Sequence, residues 1–157
     1  MRQTCKLSLT IFNLSVMGME IVVFAKPLVV AHQRIEQIKD FLNQFNAQVK
    51  EIKTVTVTLP QIESHYAEHS GKPFFPKLTS YYNGKTIVVF KVEVNSTEDI
   101  AAIRTAMGKS SIEEGSFRHD LVYDIYDTWT LEHGPFDNGI HASDSVEAGN
   151  REVSIWF

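Results

Sequence analysis

The stretch Ile21-Val-Val-Phe-Ala25 decides the fold, because five consecutive apolar residues end abruptly at Lys26-Pro27. An apolar run of this length predicts a central β-strand that is buried on both faces. The apolar residues that follow recur at helical spacing with charged residues between them, and they are Ile35, Ile38, Leu42 and Phe45. This pattern predicts an amphipathic helix that packs on a sheet.

The rest of the chain predicts three more strands. β-branched residues indicate a strand over 49–58 and another over 86–94, and a short fourth strand reaches His141. Two short helices are predicted between the second and third strands, over 61–69 and 75–82.

Capping residues mark the ends of the later helices. Ser96 is a candidate N-cap for a helix that Gly108 ends, and Ser143 or Asp144 is the predicted N-cap of the last helix. Residues 109–137 lack a periodic apolar pattern, so they are predicted to form a polar loop followed by an irregular segment.

This order of elements contains the split β-α-β-β-α-β pattern, which predicts an α+β fold. We expect a ferredoxin-like αβ sandwich with a four-stranded antiparallel sheet. Residues 19–157 are expected to form a single domain, and residues 1–18 are interpreted as an N-terminal extension. That extension is too short and too polar to span a membrane, so we expect no membrane association.

Composition narrows the class of protein. With 43% apolar residues among 157, the chain can bury a core, and its net charge of −4 argues against a general nucleic-acid binder. The single cysteine, Cys5, excludes an intramolecular disulfide and a cysteine metal site. A reducing, cytoplasmic setting is therefore expected.

Three short motifs compete for a function. Gly84-Lys-Thr86 and Gly108-Lys-Ser110 resemble the end of a P-loop, but the glycine that must precede each by five positions is replaced by Thr79 and Ile103. His65-Tyr-Ala-Glu-His69 matches the H-x-x-E-H pattern of some zinc peptidases. This pattern has three fixed positions and no identifiable third ligand, so two solvated histidines on an exposed helix face are the simpler interpretation.

A more coherent set of residues surrounds His141. A neutral imidazole is a good nucleophile near pH 7, and Glu152 could hold its other ring nitrogen while Ser143 orients that glutamate. Three cations occur at a strand end, near a helix end and in a loop, where they could converge on a triphosphate, and they are Lys26, Arg104 and Arg118.

These residues, in their order and local context, resemble the nucleoside diphosphate kinase family from Glu20 to Phe157. The most specific part is Asn138-x-x-His141-x-Ser143-Asp144-Ser145, followed by Glu152 and Trp156-Phe157. Supporting segments are His65-Tyr66 with Lys72-Pro-Phe-Phe-Pro76, and Gly115-Ser-Phe-Arg118-His-Asp120.

The resemblance implies a role for each matched residue. His141 would be transiently phosphorylated, with Glu152, Ser143 and Lys26 completing the catalytic group. Mg²⁺ would be held mainly by the nucleotide phosphates, with Asp144 as a further candidate ligand. Eight residues would contact nucleoside triphosphates and diphosphates, and they are Lys26, Tyr66, Phe74, Leu78, Arg104, Ser110, Arg118 and Asn138. Among these, Phe74 would stack on the base and Asn138 would contact the sugar 3′-hydroxyl.

The chain also departs from the family pattern. The family's K-P-D-G is Lys26-Pro-Leu-Val29 here, the loop before Arg118 is shorter by a few residues, and the stretch 119–137 is longer by roughly ten. Because that loop helps build larger assemblies in the family, the resemblance implies a homo-oligomer built from dimers. The predicted activity is ping-pong phosphotransfer through His141. The alternatives are a catalytically weak nucleotide-binding relative and a ferredoxin-like interaction module without a nucleotide site.

Overall fold

The structure, a computed structural model, describes residues 19–134 and 136–157. The predicted N-terminal extension over residues 1–18 lies outside the described residues. Within the two described ranges, no helix is both long enough and apolar enough to cross a membrane.

The described residues form strands and α-helices in an order that matches the split pattern. The strands are β1 (Glu20–Ala25), β2 (Ala47–Thr56), β3 (Thr86–Val94) and β4 (Ile140–Ala142). The α-helices are α1 (Pro27–Ala31), α2 (Ile35–Leu42), α3 (Leu59–His65), α4 (Phe75–Tyr82), α5 (Thr97–Met107), α6 (Phe117–Val122), α7 (Tyr126–His133) and α8 (Val146–Trp156). A 3₁₀ turn at Ala67–His69 follows α3.

The sheet has four antiparallel strands in the order β2-β3-β1-β4. This arrangement confirms the predicted ferredoxin-like α+β fold. β1 pairs with β3 along its whole length, and its second half pairs with β4 so that Phe24 lies opposite His141. The strand predicted to be central therefore touches the strand that carries the candidate nucleophile.

The core lies on both faces of β1, as the continuous apolar run predicts. Ile21, Val23 and Ala25 face a cluster built with α1, α2, α5 and α6. Val22 and Phe24 face a second cluster built with α3, α4 and α8. Alternation along a strand sends successive side chains to opposite faces, so each face of β1 anchors a different layer of helices.

Capping explains several helix ends. The Ser96 hydroxyl accepts a hydrogen bond from the backbone N–H of Asp99, and Gly108 ends α5 with a φ of 84°, as predicted. The last helix differs from the prediction, because its N-cap is Ser145 rather than Ser143 or Asp144. The Ser143 hydroxyl is instead committed to contacts with Val22 and Glu152.

Pro27 begins a helix that was not predicted, and Pro60 lies in the first turn of a helix that was predicted to start at residue 61. Pro27 lies in the first turn of α1, where its fixed φ and missing N–H fit the first helical position. Thr58 caps α3 through a reciprocal pair of hydrogen bonds with Gln61, so β2 ends at Thr56 and α3 begins at Leu59.

The irregular segment predicted over residues 119–137 is wrong for most of its length. It contains the end of α6 and all of α7. Arg118, predicted in a loop, lies in α6, which begins after the N-cap Ser116. Both helices are short and α7 is mostly polar, so neither carries the apolar periodicity on which the prediction depends.

Replacing Gly149 in α8 with alanine is expected to lower stability, although alanine is the better helix former by about 1 kcal/mol. A Cβ at this position would lie 2.3 Å from the carbonyl oxygen of Glu20, so α8 would have to move away from β1. We expect the free energy of unfolding, measured by urea denaturation, to fall by roughly 1–3 kcal/mol.

Asn150→Ala is the matched control, because Asn150 is exposed at the next position of the same helix. It should leave stability unchanged or raise it by about 0.5 kcal/mol. A Gly149→Ala protein as stable as the wild type would show that α8 does not need this close approach to β1.

Candidate active site

Strand pairing brings the first part of the site together. His141 lies on β4 opposite Phe24, and the two rings stack with their centroids 4.7 Å apart. Lys26 follows β1 directly, and its backbone N–H donates to the carbonyl oxygen of Gly139 (2.9 Å). The pairing of β1 with β4 thus places the lysine and the histidine side by side.

Glu152 binds one ring nitrogen of His141. His141 Nε2 lies 2.5 Å from Glu152 Oε1, and the Ser143 hydroxyl donates to the same oxygen (3.0 Å). Burial raises the pKa of Glu152, and the hydrogen bond from Ser143 opposes that shift. The structure therefore joins His141, Glu152 and Ser143 in one hydrogen-bonded line.

This geometry selects one tautomer of His141. With the Nε2 proton donated to Glu152, the lone pair is left on Nδ1. Among the described residues, no hydrogen bond uses Nδ1. Burial, followed by the nearby cation Lys26, holds the pKa of His141 well below its usual range, so the ring is neutral at pH 7. A neutral imidazole with an open lone pair is a nucleophile.

A second histidine supports the first. His65 is only 2% exposed, and its ring meets that of His141 edge-on with centroids 4.5 Å apart. The Trp156 indole N–H donates to His65 Nδ1 (3.1 Å). The interpretation of His65 as a solvated side chain was therefore wrong, because α3 turns it inward against Trp156 and Phe24.

The cluster of His65, His141 and Glu152 fits a metal ion poorly. His65, His141 and Glu152 each offer a ligand atom, and these atoms lie within 4.8 Å of one another. However, Trp156 occupies His65 Nδ1, so the neutral ring carries its proton on Nε2, the only nitrogen left for a metal. The H-x-x-E-H pattern fails as well, because α3 ends at His65 and His69 lies in the following 3₁₀ turn.

Three cations surround the open side of His141, each anchored near β4. The Lys26 ammonium donates to Asn138 Oδ1 (2.7 Å). Arg104 Nη1 donates to the carbonyl oxygen of Ala142 (2.8 Å), and Arg118 Nη1 donates to that of Ile140 (2.8 Å). The two carbonyls flank His141 in sequence, so the guanidinium groups are fixed relative to the nucleophile.

Lys26 and Arg118 are costly to bury, and their pKa values show it. Burial, with help from Arg118, lowers the pKa of Lys26 to about 7. Burial, with help from Arg104, lowers the pKa of Arg118 to about 10. A concentrated, partly desolvated positive field of this kind is stabilised by a bound polyanion.

The cations and the nucleophile open into one cavity of about 570 Å³. Its lining includes Lys26, Tyr66, Arg104, Ser110, Arg118 and His141. A smaller cavity of about 150 Å³ adjoins it at His141 and is lined by Asp144 among others. Burial raises the pKa of Tyr66 to about 12, so this hydroxyl stays protonated and can donate.

The other predicted nucleotide-binding residues, Asn138, Phe74 and Leu78, are not part of the lining of this cavity. Asn138 accepts from Lys26 and donates to the carbonyl oxygen of Ser110 (3.4 Å). Phe74 is 41% exposed, and its ring lies 5.5 Å from that of His69, which lines the cavity. Leu78 is only 8% exposed and belongs to the apolar cluster under α4. Their roles toward a nucleotide base stay predictions.

Sequence reasoning missed several residues that shape the site. His65 and Trp156 support the histidine, and Asp137 lies fully buried next to the lysine. Arg151 pairs with Glu152 (3.8 Å) and donates to the carbonyl oxygen of Ser64 (2.9 Å). His65 precedes Tyr66 in a matched segment, so the sequence could have identified it. Asp137 lies in the stretch 119–137, which is longer than in the family, so no role could be carried over to it.

Comparison with known proteins gives this site a family. Residues 20–157 match the family model described as nucleoside diphosphate kinase. The chain is 34% identical to a nucleoside diphosphate kinase from Exiguobacterium sibiricum over 113 residues, which cover 69% of this chain and 72% of that protein. It is 32% identical to a nucleoside diphosphate kinase from Pyrococcus furiosus over 136 residues, 86% of this chain and 80% of that protein.

Solved structures agree at the level of the fold. A nucleoside diphosphate kinase from Encephalitozoon cuniculi superposes with a TM-score of 0.72 and 19% identity, covering 88% of each chain. One from Aquifex aeolicus gives a TM-score of 0.71 and 22% identity, over 88% of this chain and 94% of that one. The chain belongs to the nucleoside diphosphate kinase family.

ADP affinity is expected to fall as the pH rises from about 7.5 to about 9, by up to about tenfold per pH unit. The pKa of Lys26 in the free protein is about 7, so above that pH the ammonium is increasingly neutral. A bound phosphate favours the charged form, so binding should take up close to one proton in this window. Titration calorimetry in buffers of different ionisation enthalpy measures both quantities.

Lys26→Met provides the control, because methionine has a similar length and no titrating group. This variant should bind ADP weakly and without the proton uptake. The terminal phosphate of ADP is already ionised across the window and contributes no slope. A wild-type affinity that stays constant over this range would exclude a lysine of lowered pKa from the binding site.

Proposed function

We propose that this chain transfers the terminal phosphoryl group of a nucleoside triphosphate to a nucleoside diphosphate, with His141 as the transient carrier. The observation that carries the proposal is the open Nδ1 of His141 beside Lys26, Arg104 and Arg118 in one cavity. A nucleophile surrounded by cations suits an anionic electrophile.

In the first half-reaction, the lone pair on His141 Nδ1 attacks the terminal phosphorus. A bond forms between Nδ1 and phosphorus, and the bond from phosphorus to the bridging oxygen breaks, so its electron pair leaves with the nucleoside diphosphate. The imidazole becomes positively charged, and Glu152, at 2.5 Å from Nε2, stabilises that charge. In the second half, a different diphosphate attacks phosphohistidine and reverses each step.

The cations act on the group in transit. Phosphoryl transfer develops charge on the equatorial and leaving oxygens, and fixed donors near those oxygens lower the barrier. The backbone carbonyls that hold Arg104 and Arg118 keep their guanidinium groups in place before a substrate arrives. No large rearrangement of these two side chains is then needed during the reaction.

The residues fit a magnesium ion that is held mainly by phosphate oxygens. Mg²⁺ prefers oxygen ligands and retains several waters. Asp144 has an exposed carboxylate in the cavity beside His141, so it is the protein group best placed to add one oxygen ligand. When bound, the ion would neutralise phosphate charge and orient the triphosphate.

The remaining contacts involve the lining of the cavity and the residues next to it. Tyr66 and Ser110 offer hydroxyls to the phosphates, and Asn138 offers an amide to the sugar. Phe74 is exposed at the start of α4, where its ring can stack on a base. Stacking does not distinguish bases strongly, which supports broad nucleotide use.

Assembly and location follow the family resemblance. β2 lies at the edge of the sheet, and Ile52 on it is 44% exposed. A ten-residue edge strand with an exposed apolar side chain is a surface on which a second copy can pair. We infer a homo-oligomer built from dimers, in the cytoplasm, without nucleic-acid or membrane partners.

The catalytically weak alternative was motivated by Leu28 and Val29. Both side chains are fully buried in the apolar cluster around α1 and leave the cavity free. The ammonium of Lys26 still reaches Asn138 at the edge of that cavity. Leu28 and Val29 in place of the family's Asp-Gly therefore give no reason to expect lost turnover. The active enzyme is the better supported hypothesis.

Incubation with ATP labelled at its terminal phosphate is expected to label the protein on His141. A phosphoramidate is labile in acid and stable in base, which separates it from phosphoserine and phosphoaspartate. His141→Ala should lose the label and at least about 10⁴-fold of the exchange rate between GTP and ADP.

His119→Ala is the matched control, because His119 lies on α6 and pairs with Asp120 near the surface. It should label like the wild type. Equal labelling of wild type and His141→Ala would disprove the mechanism, and nucleotide binding without exchange would favour the binding-protein alternative.

Exchange should stop when Mg²⁺ is removed with EDTA and return when it is added back. If Asp144 adds a ligand, Asp144→Asn should raise the Mg²⁺ concentration for half-maximal activity several-fold. Glu147→Gln removes a nearby exposed carboxylate of α8 and should have no such effect. The same Mg²⁺ dependence in both variants would assign the ion to the nucleotide alone.

A further inference from the structure

Asp137 is a fully buried carboxylate at the end of the stretch 119–137, which is longer here than in the family pattern. Its Oδ2 accepts hydrogen bonds from the backbone N–H of Leu28 (2.7 Å) and from the hydroxyl of Tyr81 (2.7 Å). Its Oδ1 accepts from the backbone N–H of Gly139 (3.0 Å). A buried charge is tolerated only when donors or cations meet it, and here three donors converge on one carboxylate.

These bonds enclose Lys26. The carboxylate binds the backbone two residues after the lysine, and Asn138 and Gly139, the next residues after Asp137, bind the lysine itself. Asn138 accepts from the ammonium (2.7 Å), and the carbonyl of Gly139 accepts from the lysine backbone N–H (2.9 Å). The position of the ammonium therefore depends on how segment 137–139 is held.

The location of Asp137 matches a departure in the sequence. Leu28 stands where the pattern K-P-D-G has its aspartate. In this chain a carboxylate reaches the backbone of residue 28 from residue 137 instead. The turn after β1 thus has a carboxylate partner although its own sequence, Lys26-Pro-Leu-Val29, contains none.

A chain of contacts links this carboxylate to the inserted helix. The Trp129 indole N–H donates to the hydroxyl of Tyr81 (2.9 Å), which in turn donates to Asp137. Trp129 lies on α7, and the segment before α7 is tied down where Arg34 pairs with Asp124 (2.7 Å). The insertion is therefore attached to the site at a specific point.

We propose that Asp137, held by Tyr81 and Trp129, is a positioning residue that fixes the turn carrying Lys26. Helix α7 is then a support of the phosphate site. This inference rests on the proposed function, because it takes Lys26 as a contact to the phosphates.

Electrostatics makes the role specific. The groups that face Lys26 from the surrounding elements are Arg118 on α6, Arg104 on α5, His141 on β4, His65 on α3 and Asp137. Burial and Arg118 lower the pKa of Lys26, whereas Asp137 acts to raise it. Without the carboxylate, the charged groups that act on Lys26 are Arg118 and Arg104, so its ammonium loses its proton at a lower pH.

The test compares ADP affinity of Asp137→Asn and wild type between pH 6 and pH 8. The ratio of the two Kd values should grow roughly three- to tenfold over this interval, because the variant loses the lysine charge earlier. Titration of ADP itself is common to both proteins and cancels in the ratio. A ratio that is constant with pH would mean that Asp137 has only a structural role and would overturn the proposal.

Tyr81→Phe is the matched control that separates the effect of the Asp137 charge from the effect of its packing. It removes one donor from Asp137 but leaves the carboxylate and its charge. Its Kd ratio to wild type should therefore stay constant with pH, even if its affinity is lower. If the Kd ratio of Tyr81→Phe to wild type also grew with pH, a loosened Asp137 side chain would be enough to change the pH dependence. That result would refute the assignment of the effect to the charge of Asp137.

Trp129→Phe tests the outer end of the contacts and remains informative if Asp137→Asn does not fold. We expect the KM for the diphosphate to rise about two- to fivefold, with kcat within about twofold. Leu131→Ala, at an 89% exposed position of the same helix, should change neither. Equal KM values in these two variants would remove α7 from the support of the site.

The two levels of inference fail differently. If wild-type protein forms no phosphohistidine, the proposed function is wrong. If it is labelled normally and the Asp137→Asn ratio is flat, only the role of Asp137 is wrong.

Discussion

The pairing of β1 with β4 is the contact on which the site depends. β1 is buried on both faces, so its position is set by two apolar clusters rather than by its ends. β4 is only three residues long and takes its place from β1. Because Phe24 lies opposite His141, packing on the apolar strand is converted directly into placement of the nucleophile. Ser143 extends the same pairing, since its hydroxyl binds both the backbone of Val22 and the carboxylate of Glu152.

The charges around that contact are arranged for a ligand and not for stability. Lys26 and Arg118 are buried beside the more exposed Arg104, and the lowered pKa values of Lys26 and Arg118 reflect the cost of their burial. Removing a charge from water without providing a partner is unfavourable. A bound polyanion supplies that partner, so the same charges then make a favourable contribution to the free energy. A polyanion bound here would recover the free energy that burying these charges costs the folded protein. Glu152 lies where it can stabilise a positive charge on the ring of His141.

The sequence predicts most of the fold and most of the polar residues at the site. The physical reasons for success or failure differ from one segment to another. The apolar run of β1, the spacing of Ile35, Ile38 and Leu42, and the cap at Ser96 are local signals, and each formed the expected element. The cap of α8 was misassigned because Ser143 has long-range partners that local patterns do not reveal. His65 was misjudged for the same reason, since only the packing of α3 against Trp156 shows that it is buried. The segment 119–137 failed because its helices are stabilised by tertiary contacts such as Arg34 with Asp124.

Asp137 shows why a substitution in a motif does not by itself decide whether a site works. What the turn after β1 requires is an acceptor for the backbone N–H of residue 28, and a carboxylate from any segment that reaches it satisfies that requirement. The same carboxylate also binds Tyr81, and Tyr81 binds Trp129 on the inserted helix. An insertion and a motif substitution that look independent in the sequence therefore meet at one buried oxygen. Two such changes are expected to couple energetically, because they share a partner, and neither can be interpreted without the other.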